Sequence, residues 1–339
     1  MKKFFAVLLM SAVVAVGCSS DTTEKVEIDG FVEVTLAEVT HSVFYAPQYV
    51  ALEMGYFEEE GLIVDFLAAQ GADKTMASLL SGEVEFGLMG PESSIYVYNQ
   101  ESPQYAVNFA QLTKRDGSFL VSRIDEPDFE IADLAGAELI GGRAGGVPLM
   151  TVEYVVKSNG LVVGENVEAG EVNVRSDIQF DVMAGSFIGG IGDYVTLFEP
   201  TATQLENEGQ GFIVASIGAE SGDIPYTAYS ALNTYVDKNP EIVQKFTNAI
   251  YKGQVTVQES SAEEIAEMIS QQFMEISLED LTTVIQRYKD IDAWCATPVM
   301  TQESFDKLMD VMELAGELDA RADFDAIVDN SFAQIAIGE

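Results

Sequence analysis

Three times between residues 31 and 98 a strand-like run is followed by a helix that opens on small polar residues or proline. Phe31-Val32-Glu33-Val34-Thr35-Leu36 alternates with the period of a strand. Thr40-His41-Ser42 then precede a helix through Tyr49, Val50, Leu52 and Met54, and Gly55 ends it. A second strand at 62–66 leads to Asp73, a candidate N-cap for a helix running to Ser81, with Gly82 beyond it. The third strand, 84–89, stops at Gly90-Pro91-Glu92-Ser93-Ser94, where proline suits the first turn of a helix carrying Ile95, Tyr96 and Tyr98. Strands that alternate with helices in this way pair in parallel, so the chain is expected to be α/β.

A similar layout recurs downstream. Residues 138–140 read as a short strand, Gly141 to Gly146 as a flexible loop, and Val147-Pro148 as the opening of a helix that Asn159-Gly160 closes. A strand at 172–174 precedes a helix ending in Met183-Ala184-Gly185. Phe187-Ile188-Gly189-Gly190 then matches the spacing of the strand and glycine after Gly82, which points to two similar lobes. From Asp237 onward the pattern is consecutive helices, capped at Asn239-Pro240, Ser261, Ser277 and Thr301. The expected organisation is a leader at 1–17, an anchor linker at 18–30, lobe 1 at 31–117, lobe 2 at 118–222, and at 223–339 a return to lobe 1 with C-terminal helices. The crossings between lobes fall near 116–119 and 221–226.

Lys2 and Lys3 precede an unbroken apolar stretch at 4–16, the form of a secretory signal and too short for a membrane span. It ends Ala15-Val16-Gly17-Cys18 and turns polar, a lipobox in form, so Cys18 is the expected lipidation site on the extracytoplasmic face of a bacterial membrane. Contact with the membrane would be through that lipid anchor alone. The other cysteine is Cys295, so no internal disulfide is available once Cys18 carries lipid. The formal net charge of -39 is spread along the chain; it supplies no basic face and excludes nucleic acid as a partner. With a single histidine, no paired cysteines, no P-loop and no Gly-x-Ser-x-Gly, the usual metal, cofactor and nucleophile constellations are missing. The expectation is a protein that binds rather than one that catalyses, with no metal and no cofactor.

In open α/β sheets ligands sit beyond the carboxyl ends of the strands, where helix N-termini present free N–H groups. Four segments meet there by this logic: 40–45, 90–94, 142–147 and 192–199. They supply His41, Phe44, Tyr45, Gly90, Glu92, Ser93, Arg143, Gly145, Gly146, Asp193, Tyr194 and Glu199, and Tyr226 joins them from the second crossing. Phe44 and Tyr45 can stack on a planar ligand, whereas Tyr49, Tyr56 and Phe57 suit packing of helix on sheet. His41 suits either a ligand contact or a structural tie. Glu92 could hold an amine or ring N–H, or merely favour its helix N-terminus. Arg143 could take a carboxylate or sulfonate, or lie exposed in its loop. Gly145 and Gly146 fit a close backbone approach or a plain turn. Trp294 suits a cleft wall or the core, the core more readily.

The runs "HSVFYAPQYVALEMGYFEEEGLIV", "LLSGEVEFGLMGPESS", "GGRAGGVPLMTVEYVVKSNGL", "LFEPTATQLENEGQG" and "NPEIVQKFTNAIYKGQ" together resemble the solute-binding proteins of ABC importers in the nitrate, sulfonate and thiamine-pyrimidine-precursor superfamily. The resemblance covers nearly the whole chain after residue 30. It implies a type II periplasmic-binding-protein fold, two lobes closing on a small molecule, and delivery to an ABC permease and its ATPase. Glu199-Pro200 matches the family's run, with the glutamate placed either on the ligand or against the hinge. Phe44-Tyr45-Ala46-Pro47 stands where pyrimidine-precursor binders carry Asn-His-Thr-Gly, a departure that bears on ligand choice. The favoured ligand is a planar nitrogen heterocycle such as a thiamine pyrimidine precursor or related vitamin. The alternatives are a sulfonate, taurine or nitrate-type oxyanion and, in another class, a cofactor-dependent pyrimidine-synthesising enzyme.

Overall fold

In a computed structural model, which describes residues 27–28 and 30–339, the chain builds two sheets linked by two short crossings. The expected leader and Cys18 lie outside the described residues. The first sheet takes β1 (Glu27–Ile28), β2 (Phe31–Glu38), β3 (Leu62–Ala68), β4 (Phe86–Met89) and β5 (Ala106–Thr113). The second is built from β6 (Ser118–Ser122), β7 (Glu138–Ile140), β8 (Asn173–Arg175), β9 (Tyr194–Phe198) and β10 (Phe212–Ser216). The chain then returns to add β11 (Thr227–Leu232) to the first sheet. The two orders are β1-β2-β4-β11-β5, with β3 against β2, and β10-β6-β9-β7-β8.

The parallel pairs are those that the helices connect. Val34 stands opposite Val64 across β2 and β3, and Ile140 opposite Val195 across β7 and β9. β11 runs antiparallel to both β4 and β5, and β6 antiparallel to both β9 and β10. The helices Ala46–Glu53, Glu92–Tyr98 and Val147–Ser158 begin just after β2, β4 and β7, each with proline at or beside its first turn. Proline is tolerated there because the first N–H groups have no intrahelical acceptor.

Two local expectations are corrected. The helix Ala72–Ser81 starts from Gly71, so Asp73 lies within its first turn instead of capping it; Gly82, at φ 74°, ends it as expected. Phe187 and Ile188 belong to the helix Phe180–Ile188, not to a strand, because Gly189 ends that helix and β9 starts only at Tyr194. The caps at Ser261, Ser277 and Thr301 each accept a backbone N–H of the helix they precede.

The main core runs through both lobes and the C-terminal helices. Phe246, on the long helix Pro240–Glu259, packs its ring 4.4 Å from Phe86, 5.2 Å from Phe57 and 5.1 Å from Tyr229. That helix also presses on Ala46–Glu53: a Cβ at Gly253 would fall 2.2 Å from the Pro47 carbonyl oxygen. The tail braces lobe 2 as well. Lys307 donates to the Ser221 carbonyl at 2.6 Å, and Lys157 donates to the Leu314 carbonyl at 3.0 Å. Among the described residues no helix is long and apolar enough to cross a membrane.

Replacing a helical glycine by alanine ordinarily stabilises by about 0.8–1 kcal/mol. At Gly253 the added methyl meets immobile backbone, so Gly253→Ala is expected to destabilise by about 1–3 kcal/mol. Urea unfolding reads the difference; a raised midpoint would show that the two helices part without cost.

Candidate functional site

The ends of β2, β4, β7 and β9 and the two crossings meet where the lobes face each other, and the lobes are closed. Tyr96 of lobe 1 donates its hydroxyl to the Gly145 carbonyl of lobe 2 at 3.1 Å, and Ser42 reaches the Glu199 carbonyl at 3.5 Å. Arg143 and Asp73 pair at 3.4 Å across the rim, both partly exposed. The Val147 N–H, at the start of a lobe 2 helix, points to the Glu92 carboxyl of lobe 1.

Phe44 is the hub of this seam and only 1 % exposed. Its ring lies 5.2 Å from Tyr288, 5.7 Å from Tyr226, 5.8 Å from Tyr45 and 5.8 Å from Phe198. Ser42 caps the turn that presents it, accepting the Phe44 N–H at 3.2 Å, and the Trp294 indole donates to the Phe44 carbonyl at 2.8 Å. A Cβ at Gly117 would sit 2.5 Å from the Phe44 ring, so the first crossing runs directly over it. Trp294 is core, as its sequence position suggested, and so are Tyr49 and Phe57.

Glu92, 2 % exposed, is the most strained charge of the expected set. Burial pushes its carboxyl up to about 7, against the pull of the Glu92, Ser93 and Val147 N–H groups and the Ser93 hydroxyl. Its Oε2 is buried with no hydrogen-bond partner. Gly90 makes the folded-back carboxylate possible, because a Cβ there would fall 1.9 Å from Glu92 Oε2. Tyr45 and Tyr226 are buried within the field of the same carboxylate; desolvation, with Glu38 acting on Tyr45 and Asp116 on Tyr226 ahead of Glu92, holds both phenols well above the usual range.

The sequence reading missed Asp116, which lies in the first crossing. It is fully buried; its Oδ1 accepts the Ser118 N–H at 2.7 Å, and desolvation lifts the carboxyl to about 7. The Ser118 and Tyr226 hydroxyls face this carboxyl and oppose the rise, yet Asp116 Oδ2, Ser118 Oγ and Tyr226 OH are all buried short of good hydrogen-bond geometry. The nearby cations are turned elsewhere: Arg115 binds Asp223 at 2.7 Å and Lys114 binds Asp292 at 2.6 Å.

Several expected site residues stand apart. Asp193 and Tyr194 occupy the amino end of β9 rather than its carboxyl end; Asp193 accepts the Glu138 N–H at 2.9 Å and Tyr194 donates to Glu126 at 3.0 Å. Glu199 is buried but saturated, taking the Thr203 N–H at 2.8 Å, the Thr203 hydroxyl at 2.8 Å and Arg287 at 2.9 Å. Arg287 also binds Glu206, so a C-terminal helix clasps lobe 2 here. His41 is a tie: its ring nitrogens meet Glu38 at 3.1 Å and the Gln272 carbonyl at 2.9 Å, and the ring stacks 4.8 Å from Phe273. The Glu38 hydrogen bond, with that carbonyl, raises the His41 pKa despite burial. Glu38 itself, another residue unmarked in the sequence, also accepts from Gln48 and Tyr49, each at 2.7 Å. A hollow of about 370 Å³ between Phe129 and Glu220 lies within lobe 2, away from the seam.

Residues 43–263 match the family model described as NMT1/THI5 like. YtlA of Bacillus subtilis (strain 168), named as a binding protein, is 40% identical over 307 residues, covering 91% of this chain and 90% of the relative. The formylaminopyrimidine-binding protein of Halalkalibacterium halodurans is 21% identical over 340 residues, covering 91% of this chain and all of the relative, 100%. The alkanesulfonate-binding protein SsuA from Xanthomonas axonopodis pv. citri, solved with MOPS bound, superposes with a TM-score of 0.68 at 12% identity, covering 88% of this chain and 98% of that one.

Glu92 and Asp116 define a pH dependence. An acid with a raised folded pKa binds its proton more tightly when folded. The stability it contributes is complete below the unfolded pKa of about 4 and is lost as pH rises through the folded value. The part of this balance that belongs to Asp116 is isolated by comparing the ligand-free protein with Asp116→Asn. From pH 5 to pH 8 the native protein is expected to lose about 2–3 kcal/mol relative to the variant, by chemical unfolding at each pH. A difference that stays flat with pH would mean that Asp116 titrates as an ordinary carboxyl.

Proposed function

We propose, for a chain that belongs to the NMT1/THI5-like family and carries the fold of the solute-binding proteins of ABC importers, that it is an extracytoplasmic lipoprotein. It captures a planar nitrogen heterocycle between its lobes and hands it to an ABC permease driven by its ATPase. One observation carries the choice of ligand: Glu92 is buried in the seam with an oxygen that no group of the protein satisfies. A buried acceptor of this kind costs several kcal/mol unless a donor meets it. A ring N–H or an exocyclic amine is such a donor, and Tyr45 and Tyr226, both within the field of that carboxylate and both packed on Phe44, offer aromatic faces nearby. The name of the distant formylaminopyrimidine-binding relative agrees with that chemistry.

The oxyanion reading has its own support, in the sulfonate-binding structural neighbour and in the helix that begins at Val147. Against it, the Val147 N–H is turned to Glu92, and the guanidinium of Arg143 is engaged at the rim with Asp73. The synthetic-enzyme reading would need turnover. His41, Asp193, Tyr194 and Glu199 are assigned structural tasks here; Gly90 leaves room for the Glu92 carboxyl, Gly145 supplies a left-handed turn at φ 77°, and Gly146 makes no close approach.

Addition of formylaminopyrimidine to the purified protein is expected to reduce its radius of gyration in solution scattering and to raise Tm by linkage. Nitrate or methanesulfonate is expected to do neither. Steady conversion of the added compound to a product would overturn the binding-protein reading. The anchor is tested separately: Cys18→Ala is expected to move the protein from the membrane fraction to the soluble one, and an unchanged distribution would remove lipidation at Cys18 from the account.

A further inference from the structure

Glu92 is one of two unpaired carboxyls buried in the seam. Of six buried side-chain atoms without a hydrogen bond among the described residues, four are Glu92 Oε2, Asp116 Oδ2, Ser118 Oγ and Tyr226 OH. They are one group in space: the Ser118 and Tyr226 hydroxyls face the Asp116 carboxyl without reaching good hydrogen-bond geometry, the Tyr226 phenol also lies in the field of Glu92, and its ring contacts Phe44. Such atoms are rare in folded proteins, and a cluster of them marks a place where another molecule supplies the partners. Two of the four, Ser118 Oγ and Tyr226 OH, are neutral and able to donate or accept, so the cluster is more than a concentration of acid.

The arrangement is built and held. Ser118 N–H fixes Asp116 Oδ1 at 2.7 Å, and no cation among the described residues meets Oδ2. The backbone on either side of Asp116 cannot shift freely, because Gly117 is pressed on the Phe44 ring and a Cβ at Gly218 would lie 2.1 Å from the Asp116 carbonyl oxygen. The basic side chains nearest in sequence, Lys114 and Arg115, are paired outside the group with Asp292 and Asp223. Arg287, the guanidinium that enters the seam, is engaged by Glu199 and Glu206. No ion pair among the described residues neutralises Asp116 or Glu92, although a buried carboxylate is tolerated only when paired or protonated.

We infer that Asp116 reads the ligand together with Glu92, and that the ligand is a cationic nitrogen compound presenting N–H donors at two separated points. This rests on the proposed capture of a solute between the lobes and narrows its class. A protonated heterocycle or amidinium supplies at one stroke the positive charge that both carboxylates lack and the protons that Asp116 Oδ2 and Glu92 Oε2 would accept. The Tyr226 and Ser118 hydroxyls complete the shell. An oxyanion would instead place a third negative charge between two others in a site of low dielectric. Asp116 and Tyr226 also sit on different crossings, so a donor that engages both holds the two connecting strands in the closed arrangement.

The test is calorimetry on the full-length protein with four probes: benzamidine, which is protonated throughout the working range, formylaminopyrimidine, methanesulfonate and nitrate. The two nitrogen compounds are expected to bind at least tenfold more tightly than either anion. Asp116→Asn and Glu92→Gln are each expected to weaken that binding tenfold or more, while Asp177→Asn, an exposed carboxylate change, leaves it unaltered. For benzamidine the affinity should rise as pH goes from 6 to 8, since the carboxylates must be ionised to receive a cation; a purely structural Asp116 would not produce that slope. Circular dichroism verifies that the variants fold. Tighter binding of methanesulfonate or nitrate, or affinity for the nitrogen compounds unchanged in both variants, overturns the cationic assignment and leaves solute capture standing. No binding and no compaction with any of the four probes overturns the capture reading and this inference together.

Discussion

The packing of Phe44 is the contact on which the rest of the structure turns. Its ring is shared by lobe 1 through Tyr45, by lobe 2 through Phe198, by the second crossing through Tyr226 and by the C-terminal helices through Tyr288. The backbone of the first crossing lies on it at Gly117, and Trp294 holds its carbonyl. Five parts of the chain, distant in sequence, therefore depend on one side chain a few residues past the first long strand. Such a ring buries a large apolar area at low entropic cost, since it has only two side-chain torsions to fix. It also covers the first crossing beside Asp116, whose carboxyl is shifted by the loss of water there.

Much of this was legible in the sequence. The strand ends and the helix openings at Ala46, Glu92 and Val147 followed from alternation, proline and glycine, because those signals are local. They led to Phe44, Tyr45, Glu92 and Tyr226 as neighbours of a cleft. What local signals do not carry is the identity of the partner. Phe44 was expected to face a ligand, yet three of its four aromatic partners come from residues 154 to 244 positions away, and no period or turn announces them. Arg143 was expected within the site for its charge, and Asp73 draws it to the rim.

The errors in lobe 2 have one source. Taking Phe187-Ile188 for a strand moved the strand end too early, so residues 192–199 were all placed beyond it. In the structure β9 occupies 194–198, which puts Asp193 and Tyr194 at its far end and only Phe198 and Glu199 at the seam. The apolar run through Phe180–Ile188 is compatible with either element, and periodicity alone does not separate them. Asp116 was missed for a different reason. Lys-Arg-Asp-Gly-Ser reads as a polar turn, and nothing local says that Phe44 and Tyr226 will close over its third residue and strip it of water.

The position of β11 sets an order on the assembly of the chain during synthesis. β4 and β5 are not paired with each other; each is hydrogen-bonded to β11, which is made after all five strands of the second sheet. The second sheet is drawn from one uninterrupted stretch, 118–216, and has its pairings available as soon as that stretch has emerged. The first sheet, begun earlier, has a gap at its centre until Leu232 appears, and the Phe246 ring that packs on both Phe86 and Phe109 follows later still. Closing that gap joins segments more than a hundred residues apart, a long loop closure that comes late by entropy. The part of the protein that a ribosome delivers first is thus the part that finishes last.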